Sequence, residues 1–519
     1  CCGPLWERDE NGVTTSYSYN TARQLVETIR SAVTDGETMI TPETITSYTR
    51  DALGKITSLR RDAGPMTTVE SREYDLLGRL IRETDILGRT TVRSYSGDGL
   101  VETVTTPAGA TLITRKSPSG TVVRRYGTGQ QDILYTVEAT AEGIRTTEAV
   151  PGGEGGEPRV VTGSSTVNGF GDLVRIAAAN TLNGENVRTL AYDDKGRLIR
   201  EQLADMAPTL YAYDAFGNRT RAIVALEDEP TILNSRITDY AYVAESREDG
   251  IYRLVSITSY TSSGTPVLQK QAVLLSALSS VLAGKNVMTD PRGQDTVEWT
   301  EYGGGSVRLQ KKTVPGVGSV ALTRVVDGFT TAVTGFDGAT ARRQRTYTET
   351  GITYADTDVR GNVFTAVCDI AGRIISGTDA AGNTTTYAYA QPFDLPTCVT
   401  NALGKTACSV YDIRGRKEAE WGTAIQPAVY AYDAAGHIVS LSTFRDPGDV
   451  ITTDPRLRTD GDITTWTYDV ATGLVVRKTY ANATHVDTAY DALNRVSATT
   501  DARGTVASRS YAPLTGELT

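Results

Sequence analysis

Along most of this chain, apolar and polar positions alternate or mix at the scale of single residues, and no long apolar stripe forms. Runs of about six residues rich in Thr, Val, Ile and Tyr are set off by a recurring polar unit. Between Asp358 and His437 that unit reads Asp358-Val-Arg-Gly361-Asn362, Asp369-Ile-Ala-Gly372-Arg373, Asp379-Ala-Ala-Gly382-Asn383, Asn401-Ala-Leu-Gly404-Lys405, Asp412-Ile-Arg-Gly415-Arg416 and Asp433-Ala-Ala-Gly436-His437. Starts fall 10 or 11 residues apart, and matching units 21 apart, as from Asp412 to Asp433. A fixed period of this kind decides the architecture before any single residue does.

The unit has the chemistry of a turn. Asp or Asn at the first position accepts hydrogen bonds from backbone N–H groups further on. Gly at the fourth position supplies the positive φ that other residues resist. A type I turn followed by a left-handed residue is the usual three-residue hairpin loop with a bulge. The runs between turns suit strands by composition. Two flavours of turn alternate: one preceded by Tyr and followed by Arg, one followed by Thr. Consecutive turns of a meander lie at opposite sheet edges, so the 21-residue period predicts one full hairpin repeat.

The motif Tyr-Asp-x-x-Gly-Arg, alternating with Asp-x-x-Gly-Asn-x-Thr, resembles the YD repeats of the RHS family, which includes bacterial polymorphic toxins, the cocoon of insecticidal toxin complexes and the teneurins. The first flavour is carried by Asp75 and Gly78, Asp193 and Gly196, Asp214 and Gly217, Asp412 and Gly415, Asp433 and Gly436, and Asp491; Asp369 and Gly372 form a further copy. Degenerate copies fill much of the rest. The resemblance implies an all-β array of antiparallel hairpins coiled into a spiral, hollow shell. Some members close the array with a core segment, cut themselves there with an aspartyl-protease activity, and carry a variable toxic domain beyond it. No such segment is recognisable in these 519 residues, so the resemblance extends to the shell repeats alone.

The whole of 1–519 reads as one array. In Arg79-Leu80-Ile81-Arg82-Glu83-Thr84, two-residue alternation places Leu80 and Arg82 on one face, Ile81 and Glu83 on the other. Neither face is fully apolar, which predicts a sheet that is wet or lightly covered on both sides. Pro151 to Pro158 reads as an exposed inserted loop. Leu268, Gln271, Leu275, Leu278 and Leu282 recur at roughly helical spacing, so 267–283 reads as a short helix, with a buried strand over Ala272 to Leu275 as the alternative. Longer connections at Gln391–Asp394 and Trp421–Pro427 are natural places for partner contacts.

Composition narrows the chemistry. The net charge is −10 and no basic block stands out, which predicts no nucleic-acid partner. No apolar run is long enough for a membrane-spanning helix. The chain opens on Cys1-Cys2 and ends just past a turn-like segment, as a fragment of a larger protein would; a lipoprotein reading of Cys1 is the alternative. Five cysteines do not make a disulfide scaffold, and the two histidines lack metal-site spacing, so neither cofactor nor metal is expected. Cys398 and Cys408 flank the turn at Asn401. Counting outward from a bulged three-residue loop makes them a cross-strand pair. His437 fills the Arg slot of its turn and reads as a solvated turn residue. The aspartates read as turn braces, with no catalytic residue assigned. The function expected is a non-enzymatic shell segment of a secreted or cell-surface bacterial protein, enclosing a toxin or effector polypeptide or joining the remainder of a larger chain. The alternatives are a surface adhesion module for glycans or proteins, and a glycosidase-like enzyme.

Overall fold

Each Asp-x-x-Gly unit closes a hairpin because its backbone bonds to itself twice. In the turn at Asp412 the Asp412 N–H donates to the Arg416 carbonyl at 2.8 Å, and the Gly415 N–H donates to the Asp412 carbonyl at 2.9 Å. Gly415 sits at φ +79°, a conformation where an L side chain crowds its own backbone. The same pair of bonds recurs at Asp75, Asp193, Asp214, Asp369, Asp433 and Asp491.

The computed structural model describes residues 3–9, 12–151, 159–303, 306–390, 392–445 and 454–519. The expected loop at 152–158, Cys1-Cys2 and part of the turn after Asp9 lie outside the described residues. Among the described residues, 42 strands form one antiparallel sheet and the hairpin Val33–Asp35 with Thr38–Thr41 stands apart. Among the described residues, helical structure is limited to one 3-10 turn, Pro455–Leu457. The chain divides into two compact units, the first of residues 1–93, 241–257 and 268–405, the second of 94–240, 258–267 and 406–519.

Strand pairing refines two sequence expectations. At the Tyr-flanked turns the register slips: Tyr74 faces Leu80 but Glu73 faces Arg82, leaving Ile81 as a bulge. Tyr192, Tyr213, Tyr432 and Tyr490 mark the same slip. The strict alternation expected across Arg79–Thr84 is therefore broken, because a bulge places two residues opposite one. The helix considered for 267–283 is a correction: Pro266–Ala277 and Leu282–Thr289 are paired strands, with Ala272 facing Val287. Leu268, Leu275 and Leu278 are exposed, so their spacing never corresponded to a buried stripe.

The core is thin. In the first unit, Ile40 and Val33 of the separate hairpin pack against Val326 and Phe329, and Tyr252 packs with Ala272 and Val287. Many strand residues are only half-buried, and in Met66–Tyr74 one face is half-buried while the other is exposed along its length.

Candidate functional site

The repeated turns carry a dense set of polar contacts. At the first position, one carboxylate oxygen accepts two backbone N–H groups: Asp412 Oδ1 takes those of Arg414 and Arg416 at 2.8 and 2.9 Å. The other oxygen takes the fifth residue's side chain, Arg416 Nε at 2.6 Å. Arg79, Arg197, Arg373 and Arg495 return to Asp75, Asp193, Asp369 and Asp491 in the same way. Asn218 does so with its amide, reaching Asp214 at 2.9 Å. This explains the long polar fifth residue: it is the donor that closes the ring on the first.

A second layer links neighbouring turns along one edge. The guanidinium of Arg197 lies over the ring of Tyr213 at 4.9 Å, Arg373 over Tyr389 at 4.6 Å, Arg416 over Tyr432 at 4.6 Å and Arg495 over Tyr511 at 4.2 Å. Each such tyrosine hydroxyl donates back to the carbonyl one residue after the arginine: Tyr213 to Leu198, Tyr389 to Ile374 and Tyr432 to Lys417, all at 2.8 Å. Those carbonyls lie where the inter-hairpin ladder has ended; Leu198–Leu203 pairs with Thr209–Tyr213 only at Arg200 and Glu201. The hydroxyl satisfies a backbone acceptor that no strand reaches, and the stacked Arg–Tyr pair fills the gap between splayed hairpins. Sequence reasoning took the tyrosine as a marker and missed this role, although the constant Arg-to-Tyr spacing of 16 residues was its signal.

His437 occupies the arginine place in one rung. It is half-buried rather than solvated: Nδ1 lies 2.9 Å from Asp433 Oδ2 and the ring stacks on Tyr468 at 4.6 Å. The Tyr468 hydroxyl donates to the Ile438 carbonyl at 2.8 Å, as the other rungs do.

The environment keeps these carboxylates ionised. Asp193 is held below the usual carboxylate range, first by the Arg197 side chain and then by its backbone N–H. At Asp412 burial alone would raise the pKa, but the Arg416 N–H and guanidinium outweigh it and the net shift is downward. Asp433 and Asp491 follow the same balance. Each of these carboxylates is thus ionised with both oxygens engaged in its own turn, which is the arrangement of a brace. Asp356 pairs with Arg343 at 2.6 Å, and Asp358 braces its own turn. Among the described residues no group of His, Cys, Asp or Glu is disposed to hold a metal. Cys398 and Cys408 are each disulfide-bonded, and Cys368 is free and buried. The connection around Asp394 is spent internally, its carboxylate taking Arg89 at 2.8 Å.

An RHS Repeat family model matches residues 74–111. No curated protein matches the sequence. The fold is similar to that in the crystal structure of TcdB2-TccC3-TEV (TM-score 0.54, 13% identity, 98% of this chain and 28% of that chain). It is equally similar to that of TcdB2-TccC3-Cdc42 (0.53, 11%, 93% and 26%). A third likeness is to the Tc holotoxin pore of Photorhabdus luminescens carrying a TccC3 mutation (0.53, 12%, 98% and 28%). This chain thus spans about a quarter of the length of these structures. It carries an RHS repeat at 74–111 and has the strand architecture of the Tc toxin proteins over nearly all of its length.

Proposed function

We propose that this chain is a stretch of wall in a wound hairpin shell that encloses polypeptide, a toxin or effector belonging to the complete protein, outside the bacterial cell or on its surface. The observation that carries this is area. The chain exposes 29559 Å², whereas two compact globular units of half its 55.6 kDa each would together expose roughly 22,000 Å². A single sheet with water on both faces accounts for the excess; a catalytic domain built around a core does not.

Two further features support the reading. Arg–Tyr wedges spread the hairpins at one edge while the ladders stay closed at the other, as between Thr84 and Thr90; unequal edges bend a ribbon in its own plane. Sequence-distant contacts within each unit also keep one offset. In the first unit Arg324 meets Asp35 at 2.6 Å, Thr41 meets Asp327 at 2.6 Å, and Arg89 meets Asp394 at 2.8 Å, 289, 286 and 305 residues apart. In the second, Arg414 donates to the Thr128 carbonyl at 2.7 Å and Asn494 to the Ala179 carbonyl at 3.1 Å, 286 and 315 residues apart. A ribbon that returns past itself at a steady interval produces such a series.

The test is protection of a cargo. An unstructured reporter bearing one site for a sequence-specific protease is fused after Thr519, and its cleavage is timed against the same reporter on an unrelated globular carrier. The wall reading expects cleavage slowed at least tenfold. Equal rates would contradict it.

A further inference from the structure

The first unit holds a cavity of about 420 Å³ that the turn ladder does not use. Its floor is the face of three neighbouring strands, Leu282–Thr289, Asp295–Tyr302 and Val307–Thr313. Trp299 lies across from Lys285 on one side and from Lys311 on the other. Val297 and Glu301, two residues to either side of Trp299, share its face. Asp249, just before the strand Gly250–Tyr260, completes the wall.

The polar groups are fixed in advance. The fully buried Tyr252 donates its hydroxyl to Asp249 Oδ2 at 3.0 Å, and Lys285 Nζ donates to the same oxygen at 2.6 Å. Both bonds fall on Oδ2, and the Lys285 ammonium, which also reaches the Tyr252 hydroxyl, keeps one further N–H donor beside Asp249 Oδ1. Glu301 is clamped by the Trp299 indole N–H and by Lys311 Nζ, both at 2.7 Å. The indole is thereby held in one orientation beside Val281, Leu282 and Val297.

This combination selects a ligand class. The two lining carboxylates are each paired, Asp249 with Lys285 and Glu301 with Lys311 beyond the lining, so the cavity presents no unpaired charge and favours neither a cation nor an anion. An acceptor and a donor side by side match the vicinal hydroxyls of a sugar ring, and an indole takes the C–H face of the ring by apolar contact. The volume falls in the range of small-ligand sites, roughly 300–1,000 Å³. We propose that this cavity is a binding subsite for a neutral pyranose, with Trp299 as the stacking platform and Asp249 with Lys285 as the pair that reads ring hydroxyls.

The site binds without cutting. A hydrogen bond from Lys285 draws Asp249 below the usual carboxylate range, and one from Lys311 does the same for Glu301. Neither carboxylate holds the proton that glycoside cleavage demands of one member of a pair. The proposal is independent of the shell reading.

The experiment uses the full 519-residue chain, saturation-transfer NMR and titration calorimetry. The probes are the methyl glycosides of glucose, galactose, mannose and N-acetylglucosamine, with glucosamine and methyl glucuronide as charged comparisons. At least one neutral glycoside should bind saturably at one site. Its affinity should fall at least tenfold in Trp299→Ala and in Asp249→Asn, remain mostly intact in Trp299→Phe, and stay unchanged in Trp6→Ala. Circular dichroism melting of each variant separates lost binding from lost fold. No saturable binding by any neutral probe, unchanged affinity in a folded Trp299→Ala, or tighter binding of a charged probe would each overturn the proposal.

Discussion

Replacing Asp412 by Ala tests the bracing of the turns at a well-buried carboxylate. The Asp412 side chain is 12% exposed and that of Arg416 24%, so water replaces their partnership poorly. The substitution removes acceptors for two backbone N–H groups and for one guanidinium, while the two backbone bonds that close the turn remain. The first loss resembles removal of a helix N-cap and the second that of a half-buried ion pair; together they amount to about 2–3 kcal/mol. In a repeat array this loss stays local, so the readout is hydrogen exchange at the Arg414 and Arg416 amides rather than a melting point. At about 1.4 kcal/mol per tenfold, exchange there should quicken by roughly 30- to 150-fold. Asp412→Asn supplies the control, because Asn401 already holds the same place and accepts the Leu403 and Lys405 N–H groups at 3.0 Å. It keeps both backbone bonds and should cost about 0.5–1 kcal/mol. Unchanged exchange at 414 and 416 in the Ala variant, or equal effects of Ala and Asn, would refute the bracing argument.

Gly415→Val should destabilise its turn by about 1–2 kcal/mol because φ is +79° there; Gly415→Asn should cost less than half as much, since Asn494 holds the equivalent place at φ +63°, and exchange at Gly415 itself compares the two. Acid should loosen the array below about pH 4: Asp75, Asp193, Asp214, Asp412, Asp433 and Asp491 are all depressed in the fold, so their stabilisation is present above the unfolded value of about 3.9 and is lost as pH falls through the folded values. A loss of β-sheet circular dichroism centred near pH 6 would speak against these carboxylates as its source. The Asn401 turn, closed by its N–H on the Lys405 carbonyl at 2.9 Å, leads us to expect that Cys398 and Cys408 are bonded to each other. Non-reducing peptide mapping should recover that crosslink, and a crosslink from either residue to any other cysteine would show the register to be wrong.

What was legible in the sequence was local. An aspartate that accepts N–H groups two and four residues on, and a glycine at positive φ, are decided within five residues, so the motif announces the turn wherever it occurs. The bulge after each Tyr-flanked turn and the stacking of Arg197 on Tyr213 depend on how one hairpin meets the next, and only the spacing of the motifs hints at them. The leucines of 267–283 misled because helical spacing signals a helix only when the stripe is buried, and ladder bonds to Leu282–Thr289 claimed the backbone first. Asp394 looked free for a partner and instead meets Arg89, 305 residues away, where no local pattern reaches. The cavity at Trp299 was invisible for the same reason: Asp249 and Lys285 are 36 residues apart and meet only through the fold.

The central claim is that this chain is a wall with two wet faces, and small-angle X-ray scattering of 1–519 tests it directly. A compact globule of 519 residues has a radius of gyration of roughly 24 Å. The wall account predicts a value clearly above that for a monodisperse monomer, because a sheet with water on both faces packs less mass into a given volume than a filled globule. A value near 24 Å, with the scattering profile of a filled sphere, would contradict it.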